Sequence, residues 1–228
     1  MRDMHCHILP GVDDGAHDLG ESLAMLEAAK KVGITSIVCT PHVRDPYFDY
    51  DAMWAAYELL CAHAEGFPLA MGWEVNHAKL MELGMDWAPY LGFQPMPGAC
   101  SPGPNGLPEF LLELPTRCTA ADFPQYERTI YDLQCRGFEV IIAHPERYHA
   151  IQKDVELARD LVRQGCKLQA SADFVAGGRF GKEKRPAKKL FEENLYTYIG
   201  SDAHFVKHYD YFAEARRTYR CRGSHARH

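Results

Sequence analysis

Short apolar runs alternate along this chain with stretches in which apolar residues return every three or four positions. The first run carries Met4-His5-Cys6-His7-Ile8 into a Pro10-Gly11 turn and the acids Asp13 and Asp14. Strand alternation puts His5 and His7 on one face and Met4, Cys6 and Ile8 on the other. Asp18 is placed to cap a helix in which Leu19, Leu23, Leu26 and Ala29 recur up to Lys31, and Gly33 closes it. Further strands are predicted at 34–40, 68–75 (weakly, since Gly72 interrupts it), 110–114, 138–143, 166–171 and 196–200. Helical spacing covers 51–65, 122–136, 155–164 and 186–193, with a short helix around 80–87. Strands alternating with helices imply parallel pairing and right-handed crossovers. The expected fold is therefore α/β: one barrel-like domain of seven strands over 1–228, with a basic tail from about 216 set apart. The Pro/Gly-rich stretch 94–108 reads as a long loop.

Composition narrows the class. An apolar fraction of 46% suits a globular core, and a formal charge of −6 argues against a nucleic-acid-coating surface. No charged-then-apolar leader and no span-length apolar run is present, so a cytoplasmic protein without membrane insertion is expected. The eight cysteines are scattered singly, which fits reduced thiols rather than a disulfide framework.

The candidate chemistry lies at strand ends. His5 and His7 sit on strand one and Asp14 just after it. His42 follows strand two, Glu74 ends strand three, Glu113 lies in strand four, His144 ends strand five, and Asp202 and His204 follow strand seven. In a parallel α/β barrel the carboxyl ends of the strands converge on one mouth. Nine imidazoles and carboxylates there exceed the roughly four to six ligands that one metal takes, so two or three cations are expected. A His/carboxylate set suits manganese, iron or zinc.

Four motifs carry a family likeness: H-x-H-x6-D on strand one, P-H after strand two, A-H-P-E-R-Y after strand five and G-S-D-A-H after strand seven. Together they resemble the polymerase-and-histidinol-phosphatase (PHP) family. The opening run and His144-Pro145-Glu146-Arg147-Tyr148 look most like its bacterial branch of manganese-dependent tyrosine-protein phosphatases of capsular and exopolysaccharide biosynthesis. The likeness runs from Met1 to about His204, with 76–108 aligning poorly. It implies a distorted seven-stranded TIM-like barrel holding three divalent cations, manganese foremost. His5, His7, Glu74 and Asp202 would hold one, Glu74, Glu113 and His144 a second, and Asp14, His42 and His204 a third. Arg147 matches the arginine beside the phosphate. The implied partner is a phosphotyrosine protein, the tail of a bacterial tyrosine kinase. The family's further arginine after the last motif is missing, and Lys207 or His208 stands near its place.

A metal-assisted route needs no protein nucleophile. Bound cations acidify water and draw charge off phosphoryl oxygens, and a planar guanidinium can clamp two of those oxygens. Tyr47, Phe48, Tyr148 and Phe205, near the expected mouth, could pack a phenyl ring. The cysteine-nucleophile alternative needs a C-x5-R loop; Cys39 to Arg44 falls one residue short and His42 is already claimed, so that route is set aside. Three other readings compete: a PHP phosphatase of a small metabolite such as histidinol phosphate, an amidohydrolase, and a catalytically weak PHP module. The amidohydrolase would want a bridging lysine where Glu113 stands, and no ligand is lost as the weak module would require.

Overall fold

The computed structural model describes residues 1–95 and 106–221. Among them, nine strands form two parallel sheets. One joins β1 (Arg2–Cys6), β2 (Ser36–Cys39) and β4 (Leu69–Met71) in the order β1-β2-β4. The other runs β3 (His42–Val43), β5 (Glu74–Asn76), β6 (Glu109–Glu113), β7 (Glu139–Ala143), β8 (Lys167–Ser171) and β9 (Tyr198–Gly200) in sequence order. Nine strands replace the seven expected because two passes are broken. Thr40-Pro41 separates β2 from β3, and Pro41 has no N–H to give a ladder. Gly72-Trp73 separates β4 from β5, and a Cβ at Gly72 would lie 2.5 Å from Val38 Cγ1 and 2.7 Å from Phe93 Cδ1. The two sheets meet at a parallel bridge between Cys6 and Ala203, with the N–H of Asp202 donating to His5 O (2.8 Å) and that of His7 to Ala203 O (2.9 Å).

The helices are α1 (Leu19–Lys31), α2 (Tyr50–His63), α3 (His77–Leu83), α4 (Ala88–Leu91), α5 (Phe123–Cys135), α6 (His149–Lys153), α7 (Glu156–Arg163), α8 (Lys184–Glu192) and α9 (His208–Thr218). Asp18 caps α1 as expected, accepting from the Glu21 N–H at 2.9 Å. The expected helix at 80–87 is broken in two: α3 starts earlier, at His77, and a 3-10 turn over Met85–Trp87 follows it. Asn76 caps α3 through Ala78 N–H, and Gly84, at φ +87°, breaks the run. Most of the 94–108 loop lies outside the described residues, as does the tail beyond 221. α9 was not foreseen: it buries Tyr209, Phe212 and Ala215 at a three-residue spacing against the turn Ala172–Ala176. No helix among the described residues is long and apolar enough to cross a membrane. Their cysteines are free thiols.

Period-two patterning sorts β6, β7 and β8 into two faces. Phe110, Leu112, Val140, Ile142, Leu168 and Ala170 belong to the large core shared with the helices. Leu111, Ile141 and Ala143 face the other way, into a small cluster with Met4, Val38 and Phe93. On that inner face the polar residues separate by height along the strands. At the amino ends, Glu109 accepts from Arg2 (3.2 Å), Lys167 (3.2 Å) and Tyr198 (2.9 Å). At the carboxyl ends stand Glu113 and Ser171. The apolar plug between them keeps the two polar layers apart. β1 departs from simple alternation, because its register shifts between Asp3 and Cys6. Met4 thus joins the inner cluster while Cys6 and Ile8 join the outer core.

Candidate metal centre

All nine residues singled out from the sequence come together at the carboxyl ends of the strands. His5 and His7 point their Nε2 atoms at each other, 3.2 Å apart, with no exposure to solvent. Each ring is oriented from behind. His5 Nδ1 bonds Gln169 Oε1 at 2.9 Å, and the Gln169 amide is itself fixed by donating to Ala170 O. His7 Nδ1 bonds Asp13 Oδ2 at 2.8 Å, and Asp13 also accepts from the N–H groups of Gly15 and His42. A proton on each Nδ1 leaves both Nε2 lone pairs facing inward. Two apposed lone pairs in a buried pocket need a positive charge between them.

Glu74 is the hub of the cluster. Its Oε1 lies 2.6 Å from His144 Nε2, and its Oε2 lies 3.4, 3.3 and 2.8 Å from nitrogens of His5, His7 and His42. Burial alone would raise its pKa, but the charges on His5 and His42 and the bond from His144 hold the carboxyl well below the usual range. Asp202 Oδ1 stands 3.4 Å from both His5 and His7. Glu113 Oε1 lies 3.9 Å from His144 Nε2, with its other oxygen bonded to Asn76. Asp14 Oδ1 faces His42 Nε2 (3.2 Å) and His204 Nε2 (3.4 Å). The His204 ring stacks on His7 at 4.1 Å, and its Nδ1 contacts Asp202 O. Two of the nine hold left-handed backbone, His144 at φ +31° and Asp202 at φ +49°, an uncommon conformation for residues with a Cβ.

Three sets within this cluster have donor atoms mutually within 4.8 Å: His7, Asp14, His42 and His204; His5, His7 and Glu74; His42, Glu74 and Glu113. They differ in detail from the grouping the resemblance implies, for His7 and His42 each enter two sets, and His144 and Asp202 flank them. The donor chemistry fits divalent cations. Asp14 Oδ1, Glu74 Oε2 and His204 Nε2 are buried and carry no hydrogen bond, although each faces the cluster. Burial and the charge of Arg147 push His144 toward the neutral imidazole that a ligand requires.

Arg147 is buried beside the cluster, not at the surface. Its Nη2 reaches Asp202 Oδ2 (2.6 Å), Ser171 Oγ (3.0 Å) and Asp173 Oδ2 (3.2 Å). The neighbouring Glu146 turns the other way, accepting from Ser171 N–H and Tyr196 OH. Burial pushes the Glu146 carboxyl up to about 7. A raised folded-state pKa stabilises the fold fully below the unfolded value near 4.5, and that contribution is lost as pH rises through 7. Glu146→Gln mimics the protonated acid, its amide oxygen accepting from Ser171 N–H and its amide N–H donating to the Tyr196 oxygen, and should therefore flatten the fall in stability between those limits. The effect is on the order of 3 kcal/mol, read from urea midpoints at pH 5 and pH 8 in chelator. Equal slopes for the two proteins would refute it.

A cleft of about 510 Å³ opens from the cluster, lined among others by Asp14, Arg147, Asp173, Arg179, Phe205 and His208. Of the four aromatic residues proposed from the sequence, Phe205 alone lines it. Tyr148 is fully buried and its hydroxyl joins Leu114 N–H to Ala143 O, so it braces the strand ends. Phe48 packs edge-on against Trp73 and Trp87, and Tyr47 stacks near His42. His208 lines the cleft with its ring on Phe205, whereas Lys207 lines a separate depression. Sequence reading missed Asp13 and Gln169, which orient the histidines, and Arg44 and Arg179. Arg44 donates to His42 Nε2 (2.9 Å) and approaches Asp14 Oδ2 (3.4 Å). Period two along β8 could have found Gln169, two residues before Ser171. No local signal marks the others. One C-x5-R spacing does occur in the chain, from Cys221 to Arg227. It follows α9, Arg227 lies outside the described residues, and burial pushes the Cys221 thiol up to about 11, the opposite of an activated nucleophile.

The profile of the capsular polysaccharide synthesis family CpsB/CapC matches residues 1–77 and 110–217. The chain belongs to that family. The gap in the match, 78–109, nearly matches the stretch 76–108 that the motifs left unaligned, and the match ends one residue before α9 does. Among relatives, the tyrosine-protein phosphatase YwqE of Bacillus subtilis (strain 168) is 34% identical over 215 residues, covering 91% of this chain and 78% of its own length. The tyrosine-protein phosphatase CpsB of Streptococcus agalactiae is 25% identical over 217 residues, covering 90% and 83%. A solved structure from work on YwqE of Bacillus subtilis and CpsB of Streptococcus pneumoniae, described as metal-dependent tyrosine phosphatases, superposes with a TM-score of 0.75 at 32% identity. That superposition covers 96% of this chain and 87% of the other.

Proposed function

We propose that this CpsB/CapC family member is a metal-dependent protein-tyrosine phosphatase of capsule or exopolysaccharide biosynthesis, acting from the cytoplasm on the phosphotyrosine tail of a bacterial tyrosine kinase. The observation that carries the reading is the pair of apposed Nε2 atoms of His5 and His7, 3.2 Å apart and ringed by Glu74 and Asp202. The relatives' activity supports the same conclusion. We further propose one catalytic domain, with the two sheets forming the distorted seven-pass barrel, and up to three divalent cations, manganese first. His5, His7, Glu74 and Asp202 would hold one, Glu74, Glu113 and His144 another, and Asp14, His42 and His204 the third. Bound there, divalent cations supply Lewis acidity and a water nucleophile at neutral pH.

The protein's own groups do the rest. Asp13 and Gln169 keep two imidazoles in the tautomer a ligand needs. Arg147 offers a fixed positive charge to a phosphoryl oxygen at the cleft. Phe205, half exposed beside it, offers a face to a phenyl ring. A tyrosine leaving group, with a pKa of about 10, departs more readily than an alkoxide and demands less of a general acid. With manganese in excess, kcat/KM on tyrosine-phosphorylated peptides should exceed that on phosphoserine peptides or histidinol phosphate by about tenfold or more. A preference for histidinol phosphate would replace this reading with that of a metabolite phosphatase.

A further inference from the structure

We propose that Arg179 is a second phosphate-binding residue, which leaves Asp14 for a phosphoryl oxygen when substrate enters the cleft. The proposal rests on the phosphatase reading. Arg147 alone is a partly spent clamp, since its Nη2 already meets Asp202, Asp173 and Ser171. Arg179 lines the same cleft from a different loop, and 44% of its side chain is exposed. Its Nη2 donates to Asp14 Oδ2 at 3.1 Å, the oxygen turned away from His42 and His204. A dianionic phosphate presents more charge to a guanidinium than this carboxylate does, and in a geometry the planar fork matches.

The loop is built to hold Arg179 there. Gly177 and Gly178 adopt φ +115° and +76°, which side chains rarely accept. The carboxylate of Glu183, a residue only 1% exposed, sits inside the turn and accepts from the N–H groups of Phe180 (2.9 Å) and Lys182 (2.8 Å). A Cβ at Gly178 would stand 2.6 Å from Glu183 Oε2, so the turn closes on its acid only with glycine there. A loop ordered in advance loses little conformational entropy when its arginine takes a ligand.

The test compares manganese-loaded wild type with Arg179→Ala and Arg179→Lys, using inorganic phosphate as the calorimetric probe alongside metal analysis. Arg179→Ala should weaken phosphate binding about tenfold and raise KM for a phosphotyrosine peptide to the same degree, with kcat within about threefold. Arg179→Lys should fall between, and metal content should not change. Unchanged phosphate affinity would overturn the proposal. So would a loss of metal alongside phosphate, because Arg179 would then serve Asp14. A KM effect on the peptide with none on inorganic phosphate would also overturn it, assigning Arg179 to the peptide. Phosphate binding needs no turnover. A wild type that binds phosphate through Arg179 yet leaves phosphotyrosine intact would therefore sink the phosphatase reading and not this one.

Discussion

Protein stripped by a chelator is expected to lose phosphate-ester turnover by on the order of a hundredfold or more, and added manganese to restore much of it. The reason lies in the donor set. His5 and His7 present inward lone pairs 3.2 Å apart, and Glu74 and Asp202 add carboxylate oxygens within 3.4 Å of both rings. Without cations, protons must supply the compensating charge: burial would lower His7, yet Asp13, Asp202 and Glu74 hold its pKa well above the ordinary value. Cations therefore displace protons, and their binding should weaken as pH falls. Protein purified without chelator should carry more than one transition-metal ion per chain, and manganese should raise the melting temperature because it binds the folded state. His7→Ala removes a donor from two of the three close sets, so it should mimic chelation even in excess manganese. Undiminished turnover in metal-free protein would sink the idea.

The site was more legible in the sequence than the strands that carry it. Each candidate ligand lay at or just past the end of an apolar run, and parallel α/β topology brings such positions to one rim. That inference needed only approximate strand ends. The strand count did need local detail: Pro41 breaks one pass because it has no N–H to give, and Gly72 breaks another where Val38 and Phe93 pack too close for a Cβ, which the sequence does not show. α9 escaped notice because its buried positions, Tyr209, Phe212 and Ala215, are embedded in charged and polar residues that resemble a tail. Asp13 was hidden by its neighbour, since nothing in Asp13-Asp14 says which acid faces the cluster and which holds the His7 ring from behind. Arg179 comes from a loop 165 residues from Asp14, and no spacing rule links the two.

Arg147→Ala is expected to cost activity and stability together, whereas a role confined to phosphate would leave the fold untouched. Its guanidinium is the cation nearest Asp202 Oδ2, at 2.6 Å, and both side chains are buried. Burial works against its charge, but Asp202 and Asp173 keep it firmly protonated. Removing one partner of a buried pair leaves the other uncompensated, typically at a cost of about 3–5 kcal/mol. In cation-free protein that loss should appear in full as a lower urea midpoint. With manganese bound it should shrink, because Asp202 then has other positive charge beside it. Turnover should fall by on the order of tenfold to a thousandfold in either background, the usual range for deleting a group that stabilises transition-state charge. Arg147→Lys separates the two contributions. A single ammonium can restore charge to Asp202 but cannot span Asp202, Ser171, Asp173 and a phosphoryl oxygen as a planar fork does. Stability should recover by more than half while turnover stays at least about tenfold down. Full recovery of both by lysine would reduce Arg147 to a positioning charge for Asp202, and full turnover in the alanine variant would remove it from the phosphate site altogether.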